Sequence, residues 1–221
     1  MRVCRTNFPI VIYPTFVLTL TLAPAITPGF SPRMPTTPRI LAFSGSARRE
    51  SLNRKFLAVA VPAVREAGGE VTLLDLNDYV LPLYHGDLEE ASGLPANAGK
   101  LIEQIKRHHA LLIASPEYNS MITPLLKNTL DWCSVADENP FIGKVAAVIS
   151  ASPGALGGVR SLVLAQQLLL KLGCHVVPGQ TFLPHANQAF EETGALKEAR
   201  ALKGLQTMAA ALVGTARRFV D

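Results

Sequence analysis

Three short segments hold residue types that can do chemistry together. The first is Gly45-Ser46-Ala47-Arg48-Arg49-Glu50-Ser51-Leu52-Asn53. Ser46, Ser51 and Asn53 can donate hydrogen bonds, and Arg48 or Arg49 can neutralise charge. If a helix opens at Ser51, its free backbone amides and dipole add to an anion site. The segment lacks GxxxxGK[ST], which excludes a P-loop, and lacks GxGxxG with its acidic partner, which excludes a dinucleotide fingerprint. A small phosphate monoester remains. The plainer role for Ser51 is ordinary helix capping.

The second segment is Pro116-Glu117-Tyr118-Asn119-Ser120. A proline, an aromatic ring and an amide in one short turn suit a flat heterocycle. A plain turn built by Pro and Asn is the competing reading. The third is Ser152-Pro153-Gly154-Ala155-Leu156-Gly157-Gly158-Val159-Arg160. Its glycines let backbone approach a ligand closely. What matters is whether the fold gathers the three segments.

The flanking elements predict that it does. Residues 39–44, 70–75, 110–115, 144–150 and 174–177 are short apolar runs that read as strands. Helices are expected over 51–67, 100–108, from Thr123-Pro124, over 158–172 and over about 195–218, with Gly68-Gly69 and Gly173 as stops. Residues 76–98 read as loop. Continuously apolar strands alternating with helices imply a parallel sheet covered on both faces. Five strands fit the flavodoxin-like three-layer sandwich, order 2-1-3-4-5, whose ligands sit beyond the carboxyl ends of the strands. All three segments fall at such ends.

Composition narrows the function classes. The chain has 221 residues, 48% of them hydrophobic, which suffices for one domain with a real core. Its net charge of +4 comes largely from Arg2, Arg5 and Arg33; the rest carries 18 basic against 17 acidic residues. With no basic stripe, nucleic acid is not an expected partner. Cys4, Cys133 and Cys174 give neither a disulfide framework nor a zinc site. Residues 1–38 read as an N-terminal extension outside the 39–221 domain. Its apolar run, cut by Pro9 and Pro14, is too short to span a membrane. It reads as a start placed too far upstream, with export through a signal ending near Ala23-Pro24-Ala25 as the alternative. The expected location is the cytoplasm.

Together the segments resemble the NADPH-dependent FMN reductase family, which includes quinone, azo-dye and chromate reductases. The resemblance rests on Gly45-Ser46-x-Arg48-x-x-Ser51-x-Asn53, on Pro116-Glu117-Tyr118-Asn119 followed by Leu126-Lys127-Asn128-x-x-Asp131-Trp132, and on Ser152 with Gly157-Gly158-x-Arg160. It covers about residues 40–219. It implies FMN and NADPH as cofactors. Ser46, Arg48, Ser51, Leu52 and Asn53 would hold the FMN phosphate. Pro116, Glu117, Tyr118 and Asn119 would line the ring, and Ser152 and Gly154 would flank its other side. Glu50 departs from the pattern by placing a carboxylate near the phosphate. The family's chemistry proceeds on the flavin in a ping-pong cycle, with no catalytic side chain, a small-molecule electron acceptor, and a homodimer or homotetramer. A flavodoxin-type FMN carrier that does not oxidise NADPH is the alternative. Carriers present strongly acidic faces to their partners, and this near-neutral domain does not.

The remaining polar residues read as structural. The exceptions are His85 and His185, which fall in loops that can border the site but lack metal spacing; His108 and His109 read as solvated caps at a helix end and His175 as structural. Asp131 and Trp132 read as helix packing and a subunit contact. Cys133 and the Leu202, Leu205, Met208, Leu212 stripe read as core.

Overall fold

The structure, a computed structural model, describes residues 36–220. The expected extension therefore lies outside the described residues as far as residue 35.

Strand β1 (Arg39–Ser44) sits inside a parallel sheet between β2 (Glu70–Leu74) and β3 (Ala110–Ala114), and β3 pairs in turn with β6 (Val145–Ala151). The registers are Ile40 beside Val71 and Ala110, and Ala110 beside Val145. Every residue of β3 and β6 is buried. This is the reason those runs, Ser150 apart, are apolar instead of alternating.

Side chains still alternate between the two faces. Ile40, Ala42, Leu112 and Ala147 face helices α1 (Leu52–Glu66) and α6 (Ala199–Ala216). Leu41, Phe43, Leu111 and Ile113 face α3 (Ala96–Arg107), α4 (Pro124–Ser134) and α5 (Val159–Lys171). Three layers result. Fully burying Phe56 or Leu126 contributes about 1.5–3 kcal/mol each.

Helix ends follow local chemistry. Ser51 Oγ accepts from the Arg54 amide at 3.3 Å, and Thr123 Oγ1 from the Leu126 amide at 3.2 Å, with Pro124 in the first turn of α4. Gly68 and Gly173 end their helices at φ of 89° and 96°.

The sheet order is 2-1-3-6 followed by two pieces, so the main sheet has six strands against the expected five. β7 (His175–Val176) pairs with the start of β6, and β8 (Thr181–Leu183) with its end. Between them Pro178 lacks an N–H, and Gly179 adopts a φ of 102°, so the ladder is interrupted. Strands β4 (Glu117–Tyr118) and β5 (Met121–Ile122) form a separate hairpin. The stretch 76–98 is not all loop: it holds a short 3-10 turn and α2 (Gly86–Ser92). Helix α6 starts at Ala199 and not near residue 195, because residues 190–196 fold back through a Phe190–Leu196 bridge.

Candidate active site

The first loop follows β1, the second follows β3 and the third follows β6, and these strands are neighbours in the sheet. The loops share one rim and are stitched together. Gly45 N donates to Ala114 O at 2.9 Å, and Ser115 N donates to Ile149 O at 2.8 Å. Thr123 Oγ1 donates to Gly45 O at 2.6 Å, so the cap of α4 also holds the first loop. A Cβ on Gly45 would lie 2.8 Å from Leu126 Cβ, which is why α4 can pack this closely only against glycine.

In the first loop Ser46, Ser51 and Asn53 are buried, Leu52 is half-buried and Arg48 is exposed. Ser46 Oγ accepts from the Arg48 amide at 3.3 Å and keeps its own proton to donate. Ser51 Oγ is the α1 cap. The amides of Leu52 and Asn53 open the helix, where no intrahelical acceptor exists. Glu50 pairs with Lys55 at 2.7 Å, and that ammonium holds its carboxyl below the ordinary range. The carboxylate that departs from the family pattern is thus compensated locally.

Asn53 has a second duty. Its Nδ2 donates to Ala151 O at 2.8 Å, and its Oδ1 accepts from Ala151 N at 3.0 Å. The carboxamide pins α1 to the end of β6, and only its backbone N–H remains directed by the helix start.

In the second loop Pro116 is buried, while Tyr118 and Asn119 are exposed at the hairpin. Asn119 and Ser120 both adopt left-handed backbone, φ 51° and 66°, as a two-residue hairpin turn of this hand requires. Glu117 does not face solvent. Its carboxylate accepts from the amides of Arg160 at 3.1 Å and Ser161 at 3.3 Å and from the Arg160 guanidinium. It therefore caps α5 and ties the second loop to the third.

In the third loop Ser152 Oγ accepts from the Gly154 amide at 3.2 Å, making a tight turn. A Cβ on Gly154 would meet only Ser152 Oγ, at 3.7 Å, so this glycine borders open space. Gly157 and Gly158 serve the chain itself. A Cβ there would come 2.7 Å from Phe182 and Pro184, or 2.0 Å from Ser150 Oγ.

Residues absent from the sequence-level site hold it together. Ser150 Oγ donates to Ser115 O at 2.7 Å, and Ser161 Oγ to the same oxygen at 3.1 Å. Ser44 Oγ is buried without a partner and, with Ser46, borders a cleft of about 230 Å³. The signal was a serine at or within one residue of the end of each central strand: Ser44, Ser115, Ser150. Among the described residues no three His, Cys, Asp or Glu side chains could hold a metal ion.

The description "NADPH-dependent FMN reductase" belongs to the family model that matches residues 38–188. The chain belongs to that family. It is 35% identical over 182 residues to an NAD(P)H-dependent FMN reductase of Pseudomonas aeruginosa, covering 82% of this chain and 96% of that one. It is 32% identical over 146 residues to a quinone reductase of Escherichia coli K12, covering 66% and 76%. A flavoenzyme NAD(P)H:acceptor oxidoreductase of Paracoccus denitrificans has the same fold at a TM-score of 0.71 and 27% identity, over 83% and 99% of the two chains. An archaeal flavodoxin at 9% identity and a TM-score of 0.53 shares the fold alone. As a member of the FMN reductase family, the chain is an oxidoreductase whose cofactors are FMN and NAD(P)H.

The rim of this family member fits FMN on its own chemistry. A monoester phosphate placed at the first loop would find free helix amides, a spare Ser46 proton and Arg48, which makes no ion pair among the described residues. A flat ring beside it would find the exposed Tyr118 and the open side of Gly154.

Proposed function

We propose that the chain moves two electrons from NADPH, by way of FMN, to a small oxidised acceptor of the quinone class. The observation that carries this reading is the placement of a turn with free helix amides, Ser46 and Arg48, an aromatic hairpin and a serine–glycine turn on the ends of three adjacent strands. Relatives named quinone reductases support the acceptor class.

FMN supplies the redox chemistry when bound: NADPH gives up a hydride and, with one proton from water, a quinone becomes a hydroquinone. The chain's part is binding and electrostatics. Ser46, Arg48 and the amides at Ser51, Leu52 and Asn53 hold the phosphate. Pro116, Tyr118 and Asn119 line the ring, and Ser152 and Gly154 flank it. Glu117 shapes this surface from behind, through α5. Backbone amides of the second loop stabilise charge where it builds up on the ring. No side chain of the rim has to serve as a nucleophile. Donor and acceptor use the same open face, so they alternate in a ping-pong cycle. Tyr118, Met121 and Leu156 are exposed around that face, and a second copy of the chain would cover them in a homodimer or homotetramer. Among the described residues no helix is long and apolar enough to cross a membrane.

The decisive experiment is an absorbance spectrum of the purified protein followed by anaerobic titration with NADPH. The expected protein is yellow, bleaches with NADPH and recovers on adding a quinone. A colourless protein that ignores added FMN overturns the reading. One that binds FMN but ignores NADPH is a carrier instead.

A further inference from the structure

A second cleft, of about 700 Å³, lies behind the third loop. Its wall is the segment running from β8 through His185, and that segment is zipped onto the serine–glycine turn. Ser152 N donates to Leu183 O at 3.1 Å, Ala186 N to Ser152 O at 3.0 Å, and His185 N to Gly154 O at 3.3 Å. One stretch of backbone thus borders the proposed flavin face on one side and the cleft on the other.

The cleft's lining combines an apolar wall, carboxamides and cations. Phe182, Leu183 and Leu196 give it an apolar wall, and the amides of Gln180 and Gln188 offer paired donors and acceptors of the kind adenine takes. Lys197 and Arg200 bring two permanent positive charges against one carboxylate, Glu198. None of the three makes an ion pair among the described residues. Two cations without carboxylate partners on an apolar-walled cleft favour a phosphate over a neutral ligand. The volume is in the ordinary range for small-molecule sites. The first loop cannot supply this second phosphate site, because it is already assigned to the FMN phosphate.

We propose that this cleft takes the adenosine end of NADPH, with Lys197 and Arg200 on its 2′-phosphate. The proposal rests on the functional reading above and adds to it a location for the cosubstrate and a basis for choosing NADPH over NADH. Only NADPH carries the group those cations recognise.

The test is calorimetric titration of the full-length protein, as purified and after FMN addition, with adenosine 2′,5′-bisphosphate and with 5′-AMP as probes. The expected result is that the bisphosphate binds about tenfold or more tightly than 5′-AMP, as two charge-assisted contacts imply. The Lys197→Ala/Arg200→Ala variant loses most of that preference, and its ratio of KM for NADPH to KM for NADH rises about tenfold. Arg65→Ala, an exposed cation at the far end of α1, keeps wild-type values for both probes. Ala201→Trp, which fills the cleft, weakens both probes. Equal binding of the two probes, or a preference that survives the double substitution, overturns the proposal. A yellow, NADPH-oxidising protein with that outcome sinks this inference alone. A protein that prefers the bisphosphate through these two residues but takes up no FMN keeps the cleft and sinks the functional reading.

Discussion

Glu117 closes on Arg160 across 43 residues of chain, and in doing so its carboxylate also takes the Arg160 and Ser161 amides in the first turn of α5. Its side chain is 8% exposed while that of Arg160 is 53% exposed. The amides, not the screened guanidinium, therefore carry most of the energy. Glu117→Ala should destabilise the fold by about 2 kcal/mol, the usual loss for hydrogen bonds to a charged group. Arg160→Ala should cost less than half of that, because the amide contacts survive it. Denaturant unfolding of the two variants checks the order. Equal losses would show that the ion pair matters more than the cap. FMN affinity should fall more in Glu117→Ala than in Arg160→Ala, since only the former releases the hairpin.

Asn53, in the first turn of α1, makes a comparable bridge to the end of β6. Its carboxamide satisfies both the N–H and the C=O of Ala151, in a buried place. Asn53→Ala leaves both groups unpaired and should cost about 2–4 kcal/mol, the sum of two modest desolvation penalties. Asn53→Asp should cost at least as much. It keeps the bond to Ala151 N but sets a carboxylate against Ala151 O. A thermal melt reads both changes, and a variant within about 0.5 kcal/mol of wild type would refute the bridge.

Much of this architecture was legible because the central strands are buried on both faces and announce themselves as apolar runs. The caps at Ser51 and Thr123-Pro124 were legible because capping is local chemistry. The uses of Asn53 and Glu117 were not, since spacing does not reveal which polar groups meet across 98 or 43 residues. Helix α2 buries no residue, so it leaves no periodicity to find. The β4/β5 hairpin escaped for a related reason: strands of two residues are too short to alternate. The sixth strand carries only three residues, Thr181–Leu183, beyond the Pro178-Gly179 break in the edge position, too few to announce themselves as a strand.

The hairpin turn stores strain. Ser120 holds a φ of 66°, a conformation costing a non-glycine residue roughly 1–2 kcal/mol, while Asn119 beside it is a residue type that tolerates this region. Ser120→Gly should therefore stabilise the protein by about 0.5–1 kcal/mol, the strain relief less the extra backbone entropy glycine must lose. Ser120→Val should destabilise it by more than that. Shifts of the denaturant midpoint at constant m-value are the readout, and a midpoint that falls for Ser120→Gly would mean that the turn is not under strain.

Arg48 stands exposed on the first loop with no carboxylate partner among the described residues. Such an arginine contributes nothing to folding through an ion pair, so its replacement separates binding from stability. Arg48→Ala should weaken FMN by about 1–3 kcal/mol, the range for one charged hydrogen bond, and leave the unfolding transition of the FMN-free protein within about 0.5 kcal/mol. Fluorescence titration with FMN measures the first and a thermal melt the second. Unchanged affinity would remove Arg48 from the phosphate site.

Among the described residues two cysteines, Cys133 and Cys174, are buried, and their thiols make stability fall at alkaline pH. Burial raises the Cys133 thiol to about 12. Burial also raises Cys174 to about 12, against the opposing pull of Lys144. An unfolded thiol ionises near 8.5, so above that pH the unfolded chain sheds protons that the folded chain keeps. The stabilising contribution is complete below the unfolded value. It drains away as pH rises toward 12, by up to about 1.4 kcal/mol per pH unit for each thiol. Lys144 complicates Cys174, because burial lowers its own pKa and gives the opposite slope just below its ordinary range. Cys133 is the cleaner probe. Cys133→Ala should lower stability at neutral pH, through the small cavity it leaves, yet make the loss between pH 9 and 11 shallower by about one proton's worth. Urea unfolding across that range separates the two effects, since the cavity shifts the level and the thiol sets the slope. An unchanged slope would mean that the Cys133 thiol ionises as easily inside the protein as outside it.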